Sequence, residues 1–237
     1  KKRLQNFAAE RWQTSPDEVK FYPGRVQVGC DTISFDELIC EAYQARVSLS
    51  ATGFYATPKI NWDKAQAKGR PFFYFAYGAA VTEVAIDTLT GENRMLRVDI
   101  LHDVGKSLNP AIDLGQIEGG FIQGAGWLTT EELWWDDEGH LRTYAPSTYK
   151  IPTLGDRPPD MRINIWAPGE NVEPTIHRSK AVGEPPLMLG ISALMALSDA
   201  VAAAGDYAHY PQLNAPATPE RVLAAVRRVM ANEETAL

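Results

Sequence analysis

The chain has 237 residues, of which 45% are hydrophobic, and a formal net charge of −7 at pH 7. A chain of this length can bury a substantial core, in one large or two small domains. The acidic balance and the lack of a basic cluster argue against nucleic acid or an anionic membrane as a partner. No apolar stretch predicts a membrane span or a signal peptide, and we expect a cytoplasmic protein.

Cys30 and Cys40 are the two cysteines. They have neither the spacing of metal ligands nor the number needed for a disulfide framework, which suits a reducing compartment. We expect both to be small, buried, apolar side chains.

The first predicted elements are helical. The chain begins with KKRLQNFAAERW, which reads as the interior of a helix, and we therefore expect a piece of a longer protein. Ser34 and Glu37 then form a capping-box pattern. The helix that follows has one apolar face, made of Phe35, Leu38, Ile39, Ala42 and Tyr43.

Strands are predicted next. Residues 72–77 are rich in aromatic side chains, and residues 81–87 and 95–101 flank a turn near Gly91 as a hairpin. Residues 161–166 place Met161, Ile163 and Ile165 on one face. With the helices, these strands predict an α+β fold in which an antiparallel or mixed sheet packs against several helices.

A glycine-rich helix is predicted from Asn109-Pro110 to Trp127. Each interior glycine costs about 0.5 to 1 kcal/mol relative to alanine, so these positions need a reason. One reason is close packing of a neighbouring backbone. Another is the approach of a cofactor, for which the Gln116 amide can both donate and accept hydrogen bonds. The glycines are Gly115, Gly119, Gly120, Gly124 and Gly126.

Glu184 has the most unusual local sequence. Pro185 and Pro186 fix two φ angles and favour an extended backbone at Glu184, while Gly183 permits close approach on the other side. The apolar run 187–197 predicts a buried helix that ends near Gly205. The positive end of its dipole favours an ionised carboxylate, which suits a base. An ordinary charged residue at a helix start accounts for Glu184 equally well.

No protein metal site is predicted. His102, His140, His177 and His209 are scattered, and we expect surface or hydrogen-bonded histidines. The acidic stretch 131–138 ends in a hairpin tip at 137–139, which favours a solvated turn over paired catalytic carboxylates. The last helix begins at Thr218-Pro219 and is amphipathic.

Several long motifs occur in one order: SLSATGFY (48–55), DVGKSLNPAIDLGQIEGG (103–120), PSTYKIP (146–152), KAVGEPPLMLG (180–190) and NAPATPE (214–220). In this order they resemble the molybdenum hydroxylases, the xanthine dehydrogenase and aldehyde oxidase family. The resemblance implies that residues 1–237 are the C-terminal portion of a molybdopterin-binding domain. It also implies that Gln116 and Gly115, and Val182 and Gly183, lie against the molybdenum–molybdopterin cofactor.

The resemblance further implies a reaction. Xanthine dehydrogenase-like enzymes hydroxylate purines, and they convert hypoxanthine and xanthine to urate with oxygen taken from water. Glu184 would accept a proton from a hydroxyl on the molybdenum. Electrons would pass through 2Fe-2S clusters and FAD to NAD, all held by other domains or subunits of an oligomer. The dithiolene of the pterin holds the metal in this family, so no protein ligands are expected.

Two alternatives remain open. One is an aldehyde oxidase-like or other azaheterocycle hydroxylase, and the other is a non-catalytic scaffold domain in which Glu184 only caps a helix.

Overall fold

The computed structural model describes residues 1–167 and 169–234, and the chain divides into two compact units, Lys1–Pro58 and Lys59–Leu237. No linker composition in the sequence marks this boundary. Both units combine helices with sheet, which confirms the predicted α+β class.

The first unit is a small sheet with two helices. Its elements are α1 (Lys2–Arg11), a 3₁₀ helix (Pro16–Glu18), β1 (Val19–Tyr22), β2 (Arg25–Val28), β3 (Asp31–Ser34) and α2 (Phe35–Gln44). The strands are antiparallel in the order β1-β2-β3. Both helices were predicted, whereas the three strands were not. Ser34 Oγ accepts the N–H of Glu37 at 3.0 Å, which is one half of the predicted capping box.

The second unit contains a short hairpin, a three-stranded sheet and three α-helices. Its strands are β4 (Asn61–Asp63), β5 (Lys68–Arg70), β6 (Gly78–Ile86), β7 (Asn93–His102) and β8 (Asp160–Ile165). Its α-helices are α3 (Pro110–Thr129), α4 (Ile191–Ala204) and α5 (Pro219–Glu234), and its 3₁₀ helices are Leu154–Asp156, Ile176–Arg178 and Pro185–Gly190. The central strand β7 pairs with β6 antiparallel and with β8 parallel, so the sheet is mixed, as predicted.

The hairpin β6–β7 follows from its sequence pattern. Val98 and Ile100 are buried, while Arg97 and Asp99 form an ion pair of 2.6 Å on the opposite face. Gly91 has a φ of 79° in the connecting turn, a conformation that favours glycine. The alternation of apolar and charged residues along β7 thus decides which face of the sheet packs against α3. The buried residues of this core are Val98, Ile100, Val104, Ile117, Phe121, Ala125 and Ala193.

The aromatic segment 72–77 is not a strand, which corrects the prediction. The guanidinium group of Arg70 binds the carbonyl oxygens of Phe72 and Phe73, at 3.3 and 2.9 Å. Aromatic residues favour strands because they pack well on a pleated surface. Here the Arg70 side chain binds the carbonyl oxygens that a neighbouring strand would need as hydrogen-bond acceptors.

The cysteines also differ from expectation. Cys30 and Cys40 are both free, but both are exposed rather than buried. Neither is therefore held by core packing.

The stretch Pro185–Ala204 is long and apolar enough to cross a membrane by length and composition, with a mean hydropathy of 1.8. This corrects the expectation that no stretch reaches that length. Core helices of soluble proteins meet the same criterion, and Leu197 and Val201 of this stretch pack against α5. The stretch is not buried on all sides, because Met188 and Met195 are 57% and 60% exposed.

Two glycines let α3 contact the 3₁₀ helix Pro185–Gly190 through backbone atoms. A Cβ on Gly124 would overlap the carbonyl oxygen of Leu187, and one on Gly120 would lie 2.9 Å from Pro186 Cβ. Gly115 and Gly119, in contrast, have open space at that position. Close packing therefore explains Gly120 and Gly124 but neither Gly115 nor Gly119.

We predict opposite effects for two substitutions on this helix. Gly124→Ala should destabilise the protein by about 1 to 3 kcal/mol, because the added methyl group overlaps backbone that cannot turn aside. Gly119→Ala should stabilise it by up to about 1 kcal/mol, because alanine restricts the unfolded chain and meets nothing. Urea unfolding of both variants is the measurement, and equal midpoints would contradict the packing account.

Candidate active site

The residues that precede Glu184 are joined to the end of β7. Ser179 pairs with Gly105 in an isolated antiparallel bridge, and the N–H of Lys180 donates to the carbonyl oxygen of Val104 at 2.8 Å. A Cβ on Gly105 would lie 2.5 Å from the carbonyl oxygen of Arg178, so this approach needs glycine. Two motifs that lie far apart in the sequence thus meet just beyond the end of the central strand β7.

A shielded ion pair reinforces this junction. Lys180 Nζ lies 2.6 Å from Asp103 Oδ2, and the two side chains are 7% and 16% exposed. The ammonium group also lies 4.9 Å from the centroid of the Tyr77 ring. Asp103 Oδ1 accepts the N–H of Gly105 at 2.8 Å. Sequence reasoning missed this pair, and the only signal was that each residue belongs to a recognisable motif.

Tyr74 provides the next contact along the segment. Its hydroxyl oxygen accepts the N–H of Ala181 at 2.8 Å. Tyr74 belongs to the aromatic segment that was wrongly predicted as a strand, and nothing in its spacing indicated a partner 107 residues away.

Gln116 and Gly183 are brought together by the glycine contact described above. A Cβ on Gly183 would lie 3.3 Å from Gln116 Oε1. Gln116 lies one helical turn before Gly120, which contacts Pro186, so the same face of α3 reaches both residues. The helix and the segment 180–184 therefore share one polar surface.

Glu184 does not have the predicted extended backbone. Its φ and ψ are −104° and −38°, in the right-handed helical region, and its carbonyl oxygen accepts the N–H of Leu187 at 3.0 Å. The tendency of residues before proline to be extended is overcome here by the turn that begins the 3₁₀ helix. Its side chain makes no cap hydrogen bond to that helix.

Several polar groups on this surface have no partner. In residues 1–167 and 169–234, no hydrogen bond or ion pair engages the Glu184 carboxylate or the Gln116 amide. The same holds for the backbone N–H groups of residues 182–184. Glu184, Gln116 and Gly183 are exposed, and Val182 is half-buried. Donors and acceptors that face outward on a fixed backbone can bind a polar ligand.

The remaining predicted site residues differ in their surroundings. The side chain of Val182 packs against the core beside β7, so only its backbone is open to a ligand. Gly115 is exposed on α3 and adjoins Gln116 in sequence, with no protein atom near the position of a Cβ.

His140, His177 and His209 are exposed, as expected, whereas His102 is not, and His140 has carboxylate neighbours that the sequence analysis did not predict. His140 lies in the hairpin tip, where its ligand atom and those of Asp136 and Glu138 are within 4.8 Å of one another. Asp136 already binds Arg142 and accepts backbone N–H groups of the turn, so this cluster is a structural turn.

His102 is buried without full hydrogen bonding, which corrects the expectation of a surface or satisfied histidine. It is 1% exposed, and its Nδ1 has no partner in the described part of the chain. A Cβ on Gly78 would lie 3.0 Å from Cδ2 of the His102 ring and 3.2 Å from Leu189 Cδ2, and His102 directly precedes Asp103. Burial is the main cause that lowers the pKa of His102; Asp103 opposes this effect and Lys180 adds to it.

The lowered pKa predicts a loss of stability in acid. Below about pH 6.5 the unfolded chain protonates His102 more than the folded protein does, because the folded-state pKa is lowered, so stability falls by up to about 1.4 kcal/mol per pH unit. His102→Phe keeps a ring but cannot bind a proton. The fall in melting temperature from pH 7.5 to 5.5 should therefore be smaller in His102→Phe than in the wild type.

His209→Phe, at an exposed histidine, is the control and should keep the wild-type pH dependence. Identical pH profiles for wild type and His102→Phe would show that His102 does not contribute.

Comparisons with known proteins identify relatives. A family model described as "Molybdopterin cofactor-binding domain" matches residues 1–158. Xanthine dehydrogenase of Oryza sativa subsp. japonica is 50% identical over 200 residues, which cover 80% of this chain and 14% of that protein. Xanthine dehydrogenase/oxidase of Felis catus is 50% identical over 197 residues, covering 80% and 15%. The chain thus spans about one seventh of these relatives.

Two solved structures are also similar to this chain. Quinoline 2-oxidoreductase from Pseudomonas putida 86 has a TM-score of 0.57 at 26% identity, covering 95% of this chain and 28% of that one. Aldehyde oxidoreductase from Desulfovibrio gigas has a TM-score of 0.57 at 25% identity, covering 82% and 20%.

Proposed function

Because this chain belongs to the family of molybdopterin cofactor-binding domains, we propose that it forms part of the active site of a molybdenum hydroxylase. The observation that carries the proposal is the surface shared by Gln116 and residues 182–184. Its polar groups are positioned by buried contacts, face solvent and make no hydrogen bond within the described residues, so they are available to a ligand.

The residues present fit the cofactor. The Gln116 amide can donate and accept, and the N–H groups of Val182 and Gly183 can donate to oxygen or nitrogen atoms of a pterin. Glycine at 183 leaves room beside Gln116 that a side chain would fill. When bound, the molybdenum cofactor supplies the redox centre and the water-derived oxygen of a hydroxylation.

Glu184 is the general base in this proposal. Its carboxylate is exposed and unpaired within the described residues, and it stands at the N-terminal end of the helical stretch 185–204. The carboxylate accepts a proton at an Oε atom during hydroxylation. A pure scaffold role is less well supported, since the Glu184 side chain does not cap the helix.

We propose a purine as the substrate, with hypoxanthine and xanthine converted to urate. Support comes from relatives named xanthine dehydrogenase at 50% identity. In the whole protein, 2Fe-2S clusters and FAD elsewhere would pass electrons to NAD, in a cytoplasmic oligomer. The second candidate is an aldehyde or another azaheterocycle, because the similar solved structures include an aldehyde oxidoreductase and a quinoline 2-oxidoreductase.

Glu184→Gln tests the base. Glutamine keeps the shape of the side chain but cannot accept the proton, so reduction of the full-length protein by purine should slow about 100-fold to 10,000-fold. Stopped-flow reduction under anaerobic conditions measures this step. Aldehydes and quinoline are tested separately, as alternative substrates in place of the purine. Molybdenum content must equal that of the wild type.

Glu220→Gln is the matched control, since Glu220, like Glu184, is an exposed acid at the start of a helix. It should leave the rate unchanged. If Glu184→Gln reduces the rate no more than Glu220→Gln does, Glu184 is not the base.

Gln116→Ala tests the cofactor contact. Loss of one hydrogen bond to a charged group costs about 1.5 to 3 kcal/mol, which corresponds to roughly 10-fold to 150-fold weaker retention of the cofactor. Molybdenum content after dialysis of the full-length protein is the measurement, beside a thermal melt to show that the fold is intact. Gln123→Ala, at an exposed glutamine on the same helix, should retain wild-type metal content. Full metal content in Gln116→Ala would remove Gln116 from the cofactor site.

A further inference from the structure

The chain between Lys180 and Leu187 has few backbone hydrogen bonds, and Tyr74 makes one of them. The N–H of Lys180 binds Val104, and the next bond made by a backbone N–H is that of Ala181 to the Tyr74 hydroxyl. The N–H groups of residues 182–184 are free within the described residues. Within the described residues, the Tyr74 hydroxyl is thus the last group that binds a backbone N–H before Glu184.

Tyr74 is itself held in place. Its side chain is half-buried, and its ring lies 6.2 Å from that of Phe73 in an edge-to-face arrangement. Phe73 is only 5% exposed. A tyrosine fixed by a buried aromatic neighbour can therefore set the position of the backbone that it binds.

The ion pair cannot replace this contact. Lys180 and Asp103 hold the chain one residue earlier. Further along, Val182 packs against the core and Pro186 is buried against α3, but neither binds the N–H of Ala181. Without the Tyr74 hydroxyl, residues 181–184 would lose the only hydrogen bond that a side chain makes to their backbone in the described part of the chain, and the packing of Val182 against the core would remain. Small displacements of a catalytic group reduce rates strongly.

We infer that Tyr74 is a positioning residue that holds the backbone of Ala181 and thereby places the Glu184 carboxylate. The inference rests on the base role proposed above. Tyr74 acts through Glu184 and does not itself exchange a proton with substrate, so its effect should disappear when Glu184 cannot act as a base.

The first measurement does not depend on activity. Hydrogen exchange of the full-length protein, followed by mass spectrometry over peptides that contain residues 179–184, reports the Ala181 N–H. In Tyr74→Phe this amide should exchange about 10-fold faster, the factor expected for one hydrogen bond. Tyr144→Phe is the control, because the Tyr144 hydroxyl is exposed and unbonded within the described residues, and it should leave exchange unchanged.

The second measurement is a double-mutant cycle on the rate of reduction by purine. Tyr74→Phe should lower the limiting rate about 10-fold while leaving the substrate dissociation constant unchanged, and it should have no further effect in Glu184→Gln. Tyr144→Phe should change neither quantity. A purely structural role for Tyr74 would not produce this dependence on Glu184.

The outcomes separate the two proposals. An unchanged Ala181 exchange rate in Tyr74→Phe, an unchanged reduction rate, or an equal fall in both backgrounds would overturn the role of Tyr74 while leaving Glu184 as the base. A wild-type rate in Glu184→Gln alone would overturn the base role, and the positioning role with it.

Discussion

The contact between α3 and the 3₁₀ helix Pro185–Gly190 determines the arrangement of the candidate site. Backbone atoms of the two elements meet at Gly124 and Gly190, where a Cβ on Gly190 would lie 2.5 Å from the N atom of Ala125. Only residues without side chains permit this approach. The contact brings Gln116 beside Gly183, and a wider separation would leave the two halves of the site apart.

The segment 180–184 is anchored on both sides, and in the described part of the chain the N–H groups of residues 182–184 have no partner. The Lys180–Asp103 pair and the Val104 carbonyl hold its start, and Pro186 holds its end. Positioning polar groups in advance reduces the entropy lost when a ligand binds. A shielded ion pair is weak evidence for stability, because desolvation opposes the attraction, and here the pair serves to fix the chain beside the site.

Predictions from the sequence succeeded where the signal was local. Hydrophobic periodicity and caps located the helices α2, α3 and α5, and alternation located the hairpin β6–β7. They failed for β1–β3, which are only four residues each, and for segment 72–77, whose carbonyl oxygens bind Arg70. The burial of His102 and the exposure of both cysteines likewise depend on neighbours that are distant in the chain.

Local sequence and recognisable motifs determined the fold class and the family, since glycine content, prolines and periodicity act within a few residues, and they made Gln116 and Glu184 the candidate site residues. Tertiary structure alone decided that Gln116 adjoins Gly183, that Lys180 pairs with Asp103 and that Tyr74 binds Ala181. It also decided the helical backbone of Glu184. The physical reason is that these contacts join residues 67 to 107 positions apart, and no periodicity or spacing in a sequence encodes a distance between such residues.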